Sequence, residues 1–226
     1  TPGNGDEYWV IQPTSFLGDI TDSVIVDATT QAGYVDKPVI ELDGSAAGAV
    51  TAALRLRTDD SVIRGFAIHS FADEGIEIDG TEWATYGPAD NNLVELNWIG
   101  FDAEGNDGGV GDDGILITDG ASFNTIRDNV IGNSAGAGIL IRENLVAGTS
   151  DNTIVGNFIG TDVTGTLDKG NTQFGIEIDN SANNQIGGAT AAERNVISGN
   201  FGQGVWIAGA GSTGNGVLGN FIGTSS

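Results

Sequence analysis

The stretch GIEIDNSANNQIGGATAAERNVISGN, residues 175–200, holds three short apolar runs joined at Asn and Gly. The runs are Ile176 with Ile178, then Ile186, then Val196 with Ile197. Its opening recurs as GIEIDG from Gly75, GILITDG from Gly114, GILIREN from Gly138 and GVWIAG from Gly204. Self-similarity of this kind is the mark of a repeat architecture and has to be read before any single residue. From Gly114 to Gly138 the spacing is 24 residues, which sets the basic period.

Each unit reads as three short strands. GILITDG leads to NTIRD and NVIGN, GILIREN to NTIVG and NFIGT, and GVWIAG to NGVLG and NFIGT. A unit this small cannot bury an apolar face alone, but stacked units bury a continuous column. Strand alternation sends Ile76 and Ile78 to one face and Glu77 and Asp79 to the other. The expected column takes Ile115/Ile117, Ile139/Ile141 and Ile176/Ile178 from first strands. Ile126, Ile154 and Ile186 come from second strands, and Ile131, Ile159 and Ile197 from third strands. Taking YWVIQP, SVIVDA and PVIELDG as the first unit gives seven coils. Parallel coils lie about 4.8 Å apart, so seven rise roughly 34 Å. Asn recurs before the second strand at Asn92, Asn124, Asn152, Asn184 and Asn215. It recurs before the third at Asn97, Asn129, Asn157, Asn195 and Asn220. Asn tolerates left-handed backbone, and its side-chain amide can bond the same residue one coil away, so these are expected to be structural ladders.

Composition narrows the function classes. The chain has 226 residues, 37 Gly, 4 Pro and 39% hydrophobic residues, enough for a core. It has no Cys, which excludes disulfides and thiolate metal sites. Net charge is −23, from 31 acids against 8 bases, which disfavours nucleic acid and anionic membrane surfaces. No apolar run approaches the length of a membrane span. The acids are left to bind cations, to keep the chain soluble, or to form a solvated face.

The motifs ITDSVIVDATTQAGY and PVIELDGS within residues 20–45, NFIGTDVTGT at 157–166 and RNVISGN at 194–200 carry a family resemblance. Nearly the whole chain resembles the right-handed parallel β-helix proteins, the pectate-lyase-like superfamily. More closely it resembles the repeat domains of large bacterial secreted or surface proteins. The resemblance implies an all-β, right-handed single-stranded parallel β-helix and an extracellular location. The implied partners are neighbouring domains of a longer chain and a polysaccharide or cell-surface glycan. The expected layout is one domain over residues 1–226, with an irregular coil and cap over 1–53. Regular coils follow over 54–226, with insertions at 100–114 and 160–174. The superfamily includes lyases, epimerases, hydrolases and non-catalytic stalks, so fold does not fix function.

Outward positions form charged columns. One is expected to run Glu41, Arg55, Glu77, Leu116, Leu140, Glu177, Trp206. The next runs Asp43, Arg57, Asp79, Thr118, Arg142, Asp179, Ala208, and the second strand adds Arg64, Glu95 and Arg127. Alternating signs read as ion-pair ladders that fix coil register. The resemblance implies a second reading, because related enzymes use this sheet with Arg or Lys as base, acids holding Ca²⁺, or paired carboxylates. On that reading Arg55, Arg57, Glu77 and Asp79 are the ligand-binding candidates, with Trp206 as an exposed ring for a sugar. An arginine held between carboxylates is a poor base, so the structural reading is preferred and no catalytic residue is assigned.

The first insertion carries Asp102, Glu104, Asn106, Asp107, Asp112 and Asp113 on a Gly-rich loop, an oxygen-rich pattern suited to Ca²⁺. It departs from an EF-hand loop: Asp107 stands where Gly is needed, and the twelfth residue is Asp113, not Glu. The plainer alternative is a solvated acidic loop. The outward Leu116 and Leu140 are expected either to meet a partner chain, as in a trimeric fibre, or to lie under an insertion. Trp9 and Trp83 read as packing plugs, and His69 as a surface or turn residue unable to act with Ser70. The last coil ends NFIGTSS without a polar cap, which leads to the expectation that the natural chain continues. The function expected is a rigid module, structural, adhesive or saccharide-binding; the alternative is a polysaccharide lyase, epimerase or hydrolase acting on the first-strand sheet.

Overall fold

Three parallel sheets wind around one another, each receiving a strand from every coil. The computed structural model describes residues 8–49, 52–80 and 87–223, so Trp83 lies outside the described residues. The first-strand sheet has 7 strands, the second-strand sheet 7 and the third-strand sheet 8. Every pairing between them is parallel and joins a strand to its equivalent in the next coil. Two short 3₁₀ turns, Gly44–Ala46 and Ala191–Glu193, are the only helical elements among the described residues. No helix among them is long and apolar enough to cross a membrane. The chain is a parallel β-helix.

The apolar column follows the repeat. Ile115 faces Ile76 and Ile139, and Ile117 faces Ile78 and Ile141. Ile126 pairs Val94 and Ile154, and Ile131 pairs Ile99 and Ile159. All of these are fully buried. Each Ile meets a like side chain one coil away on a straight stack, so shape matches without special design. Burying one such side chain is worth roughly 1.5–3 kcal/mol. In the last coil the same positions, Ile207, Val217 and Ile222, are exposed.

The corners are held by asparagine. Asn92, Asn124 and Asn152 each donate a backbone N–H to the side-chain oxygen of the next ladder Asn, at 2.8 to 2.9 Å. The second ladder runs from Asn97 through Asn129, Asn157 and Asn195 to Asn220 at 2.9 to 3.1 Å. A third ladder, missed in the sequence, links Ser134 to Asn171 and Asn171 to Asn200. The left-handed backbone expected of these residues belongs instead to the residue before most of them, Arg194 before Asn195 being an exception at φ −75°. Asn91, Leu96, Phe123, Asp128, Asp151 and Asn183 have φ between 55° and 60°, and so does Asp60 before Ser61. That conformation costs a bulky residue energy, and the ladder amide that follows offsets it.

The first coil departs from the expected alignment. Trp9–Ile11 lies at the edge of the third-strand sheet, paired with Ile40–Asp43. The first strand of that coil is Asp19–Ile20, only two residues long. Glu41 and Asp43 therefore sit on the third-strand sheet, opposite Ala67 and His69, and do not begin the arginine columns. A strand of two residues without an Ile-x-Ile pair is too short to be visible by periodicity.

Truncating Ile126 to alanine is expected to cost about 2–5 kcal/mol, since the site is fully buried on all sides. Asn129→Ala is expected to cost about 1–3 kcal/mol for each buried partner it orphans, the Asn97 N–H among them. Asn220→Ala, at a half-exposed position, should cost less because water reaches the freed groups. Urea unfolding midpoints for the three variants check this order.

Candidate functional site

The first-strand face brings four of the predicted residues together. Arg55 pairs with Glu77 through its Nε, and Arg57 Nη2 reaches Asp79 Oδ2 at 2.6 Å. Asp19 takes the place expected of Glu41 and Asp43: it lies 3.6 Å from Arg55 and 3.4 Å from Arg57. Glu77 and Asp79 are buried. Burial pushes both carboxyls up, and the facing arginines oppose it. Burial works to lower Arg55, but Glu77 and Asp19 hold it above its usual value. Arg55 is therefore a fixed cation and not a proton acceptor.

The second-strand face carries a parallel ladder: Asp27, Arg64, Glu95, Arg127. Arg64 reaches Asp27 at 2.6 Å and Glu95 at 3.2 Å, and Arg127 reaches Glu95 at 2.6 Å. Glu95 is buried between two arginines. Asp27 was legible only once SVIVDA was placed on this sheet.

Further along the first-strand sheet the column turns apolar. Leu116 and Leu140 are buried, and Phe174 from the second insertion packs over them. Trp206 stacks on Phe174 with centroids 4.9 Å apart and planes 9° from parallel. The outward apolar column is thus covered by the chain itself, and one face of Trp206 is occupied.

The acids of the first insertion divide among different tasks. Asp102 Oδ1 accepts from the backbone N–H of Glu104 and Asn106 at 2.9 and 2.8 Å, and Asn106 Nδ2 returns to Asp102 Oδ2. Asp162 organises the second insertion in the same way, accepting from Thr166 and Leu167. Asp107 ties the insertions together through Lys169 Nζ at 2.6 Å. Asp112 lies elsewhere, grouped with Asp73 and Glu74. Asp113 is buried and accepts from the Ala137 N–H at 2.7 Å. Burial pushes Asp113 up to about 7 and Glu74 up to about 8, with neighbouring carboxylates adding to both.

His69 is not at the surface. It is buried, with Nε2 3.1 Å from Glu41 Oε1 and Nδ1 2.8 Å from Ser70 Oγ. Ser70 reaches back because its own backbone is left-handed, at φ 59°. Glu41 Oε2 accepts from the Ala103 N–H and Ser70 Oγ donates to the Gly108 carbonyl, so this chain of contacts docks the first insertion onto the third-strand sheet.

The third-strand face holds a groove that sequence reasoning did not flag. Two adjoining depressions of about 200 and 300 Å³ share Trp98, Val130 and Val163. Trp98, Val130 and Phe158 are consecutive outward positions of one column. Tyr34 and the carboxylates of Asp36 and Asp128 line one end, and Phe101 and Lys169 the other. An aromatic residue in the outward slot of NWIGF and NFIGT was the available signal.

Residues 46–222 match the family described as right-handed β-helix region, well over half of the chain. The chain belongs to the right-handed β-helix family. No curated protein matches it.

The Asp27–Arg64 pair sets a pH dependence. Arg64 holds Asp27 down from 3.8 to about 2. A depressed carboxyl stabilises the fold above its ordinary range, and that contribution is lost as pH falls toward the folded value. Asp27→Asn is therefore expected to be less stable than the parent at neutral pH. The gap should close between about pH 4 and pH 2, read from denaturant midpoints across that range.

Proposed function

We propose that the chain is a rigid, non-catalytic module of the pectate-lyase-like kind, from a secreted or cell-surface protein, and that it presents a saccharide-binding surface. The observation that carries the non-catalytic part is the pairing of the arginines on the first-strand face. Arg55 and Arg57 share three carboxylates, Asp19, Glu77 and Asp79. Neither can give up a proton at neutral pH without leaving buried carboxylates uncompensated. Neighbouring domains of a longer chain are the natural partners of such a module, and the resemblance to secreted repeat domains supports an extracellular setting.

The saccharide surface is better placed on the third-strand groove than on the arginine face. Trp98, Phe158 and Tyr34 offer ring faces for the apolar side of a pyranose. Asp36 and Asp128 offer acceptors for its hydroxyls. With a net charge of −23 and acids at the groove, a polyuronate is repelled, so the favoured ligand is a neutral glycan.

A second reading rests on Glu74 and Asp113. Their values of about 8 and 7 lie in the range of general acids and bases, as in a glycoside hydrolase. Neither lines the aromatic groove. Two measurements separate the readings. On a glycan array the parent chain is expected to retain neutral oligosaccharides, and Trp98→Ala to lose them. Incubation with polyuronates or neutral polysaccharides is expected to yield neither unsaturated-uronide absorbance nor new reducing ends. Reducing-end release abolished by Asp113→Asn would establish the hydrolase instead.

A further inference from the structure

We infer that Asp73, Glu74 and Asp112 form a binding site for one hard divalent cation of the Ca²⁺ class, at the corner leading into the first-strand sheet. One carboxylate oxygen of each residue lies within 4.8 Å of those of the other two. The oxygen shell of Ca²⁺ spans about 4.6–5.2 Å, so these atoms can share one ion. Three carboxylates supply three to six oxygens, and water completes the six to eight that Ca²⁺ takes.

The position of these acids in the repeat sets them apart from every other charged column. The corner pair before the first strand is Asp73–Glu74, then Asp112–Asp113 and then Gly136–Ala137 in successive coils. Backbone bonds stack these pairs directly: Asp112 N–H reaches the Asp73 carbonyl and Gly136 N–H the Asp112 carbonyl. Four acids thus meet in two adjacent coils with no Lys or Arg in the corner. On the two strand faces the chain inserts an arginine between stacked acids, as at Asp19–Arg55–Glu77 and Asp27–Arg64–Glu95. Arg55 is committed to Glu77 and Asp19. Arg142 attracts Asp112 and Asp113 but forms no ion pair among the described residues.

Glu74 provides an independent observation. It is 6% exposed, and its Oε2 is buried without any hydrogen-bond partner. A buried carboxylate oxygen without a donor, in a group that lies beside two further carboxylates, is costly unless a cation or a proton joins it, and the Arg55 that attracts Glu74 is already committed to Glu77 and Asp19. Gly136 fits this arrangement, since a Cβ there would collide with the carboxylates of Asp112 and Asp113. The acids of the insertion turn are otherwise engaged: Asp102 is committed to backbone N–H groups and Asp107 to Lys169.

The test uses the full chain stripped with EDTA at neutral pH. Calorimetric titration with CaCl₂ is expected to show binding, and millimolar Ca²⁺ to raise the melting temperature. Glu74→Gln should abolish both effects while raising the melting temperature in EDTA, because it removes a buried carboxyl whose ionisation burial opposes. Asp112→Asn, at an exposed residue, repeats the test without disturbing a buried one. Asp102→Asn should leave both effects intact. Absence of heat and of any thermal shift in the parent overturns the site. So does Ca²⁺ binding that survives Glu74→Gln and Asp112→Asn, and loss on Asp102→Asn alone would move the site to the insertion turn.

Discussion

Everything in this molecule is constrained by the stacking of equivalent positions about 4.8 Å apart in a parallel β-helix. A residue's nearest neighbours are its own counterparts in the coils above and below. Whatever chemistry a position carries, it meets again immediately. For isoleucine this is favourable, because identical side chains in identical rotamers nest on one another. For asparagine it is also favourable, because the amide carries both a donor and an acceptor and can bond a copy of itself. The ladder through Asn97, Asn129, Asn157 and Asn195 is the result. For charge it is unfavourable, and the chain has 31 acids to place.

Two solutions to that problem are visible. On the strand faces an arginine is slotted between acids, so Glu95 is sandwiched by Arg64 and Arg127, and Asp19 is shared by Arg55 and Arg57. In the insertions the acids turn inward on backbone N–H groups, as Asp102 and Asp162 do. Both arrangements stabilise the carboxylate form, by opposite charge in one case and by donated hydrogen bonds in the other. They also allow a strongly acidic chain to manage with 8 basic residues, since acids such as Asp102 and Asp162 are bonded to backbone amides and need no arginine.

The legible part of the sequence was the part that repeats. Ile-x-Ile pairs and regularly spaced Asn placed the three sheets and the core, and the outward columns from Arg55 and Arg57 onward hold their predicted registers. What was illegible departs from the repeat. Asp19–Ile20 is too short to show a period, so Glu41 and Asp43 were aligned with the wrong sheet. Phe174 covers Leu116 and Leu140 from an insertion whose path no periodicity describes. His69 reads as a turn residue until Glu41 is moved to its own sheet, at which point the two are paired across neighbouring strands. Left-handed backbone at Phe123 and Leu96 runs against residue preference, so residue type gave no sign of it. Trp98 was visible as a letter, but its value as a groove wall depends on two insertions folding beside it.

The same stacking rule separates scaffold from function more sharply than residue type does. A charged column in which signs alternate is what register alone requires, so Arg55, Arg57, Glu77 and Asp79 need no ligand to account for them. An outward apolar column covered by Phe174 needs no partner chain either. Two places remain that stacking does not explain. One is the run of aromatic and apolar positions at Trp98, Val130 and Phe158, which keeps ring surface half-exposed along a groove. The other is the corner where Asp73 and Glu74 lie against Asp112 and Asp113 with no arginine between. On the strand faces an arginine separates the stacked acids, and at this corner among the described residues it does not, which is why the corner is where an external cation is proposed. Function in a solenoid belongs at such breaks, because only there does a residue differ from what its neighbours one coil away already demand.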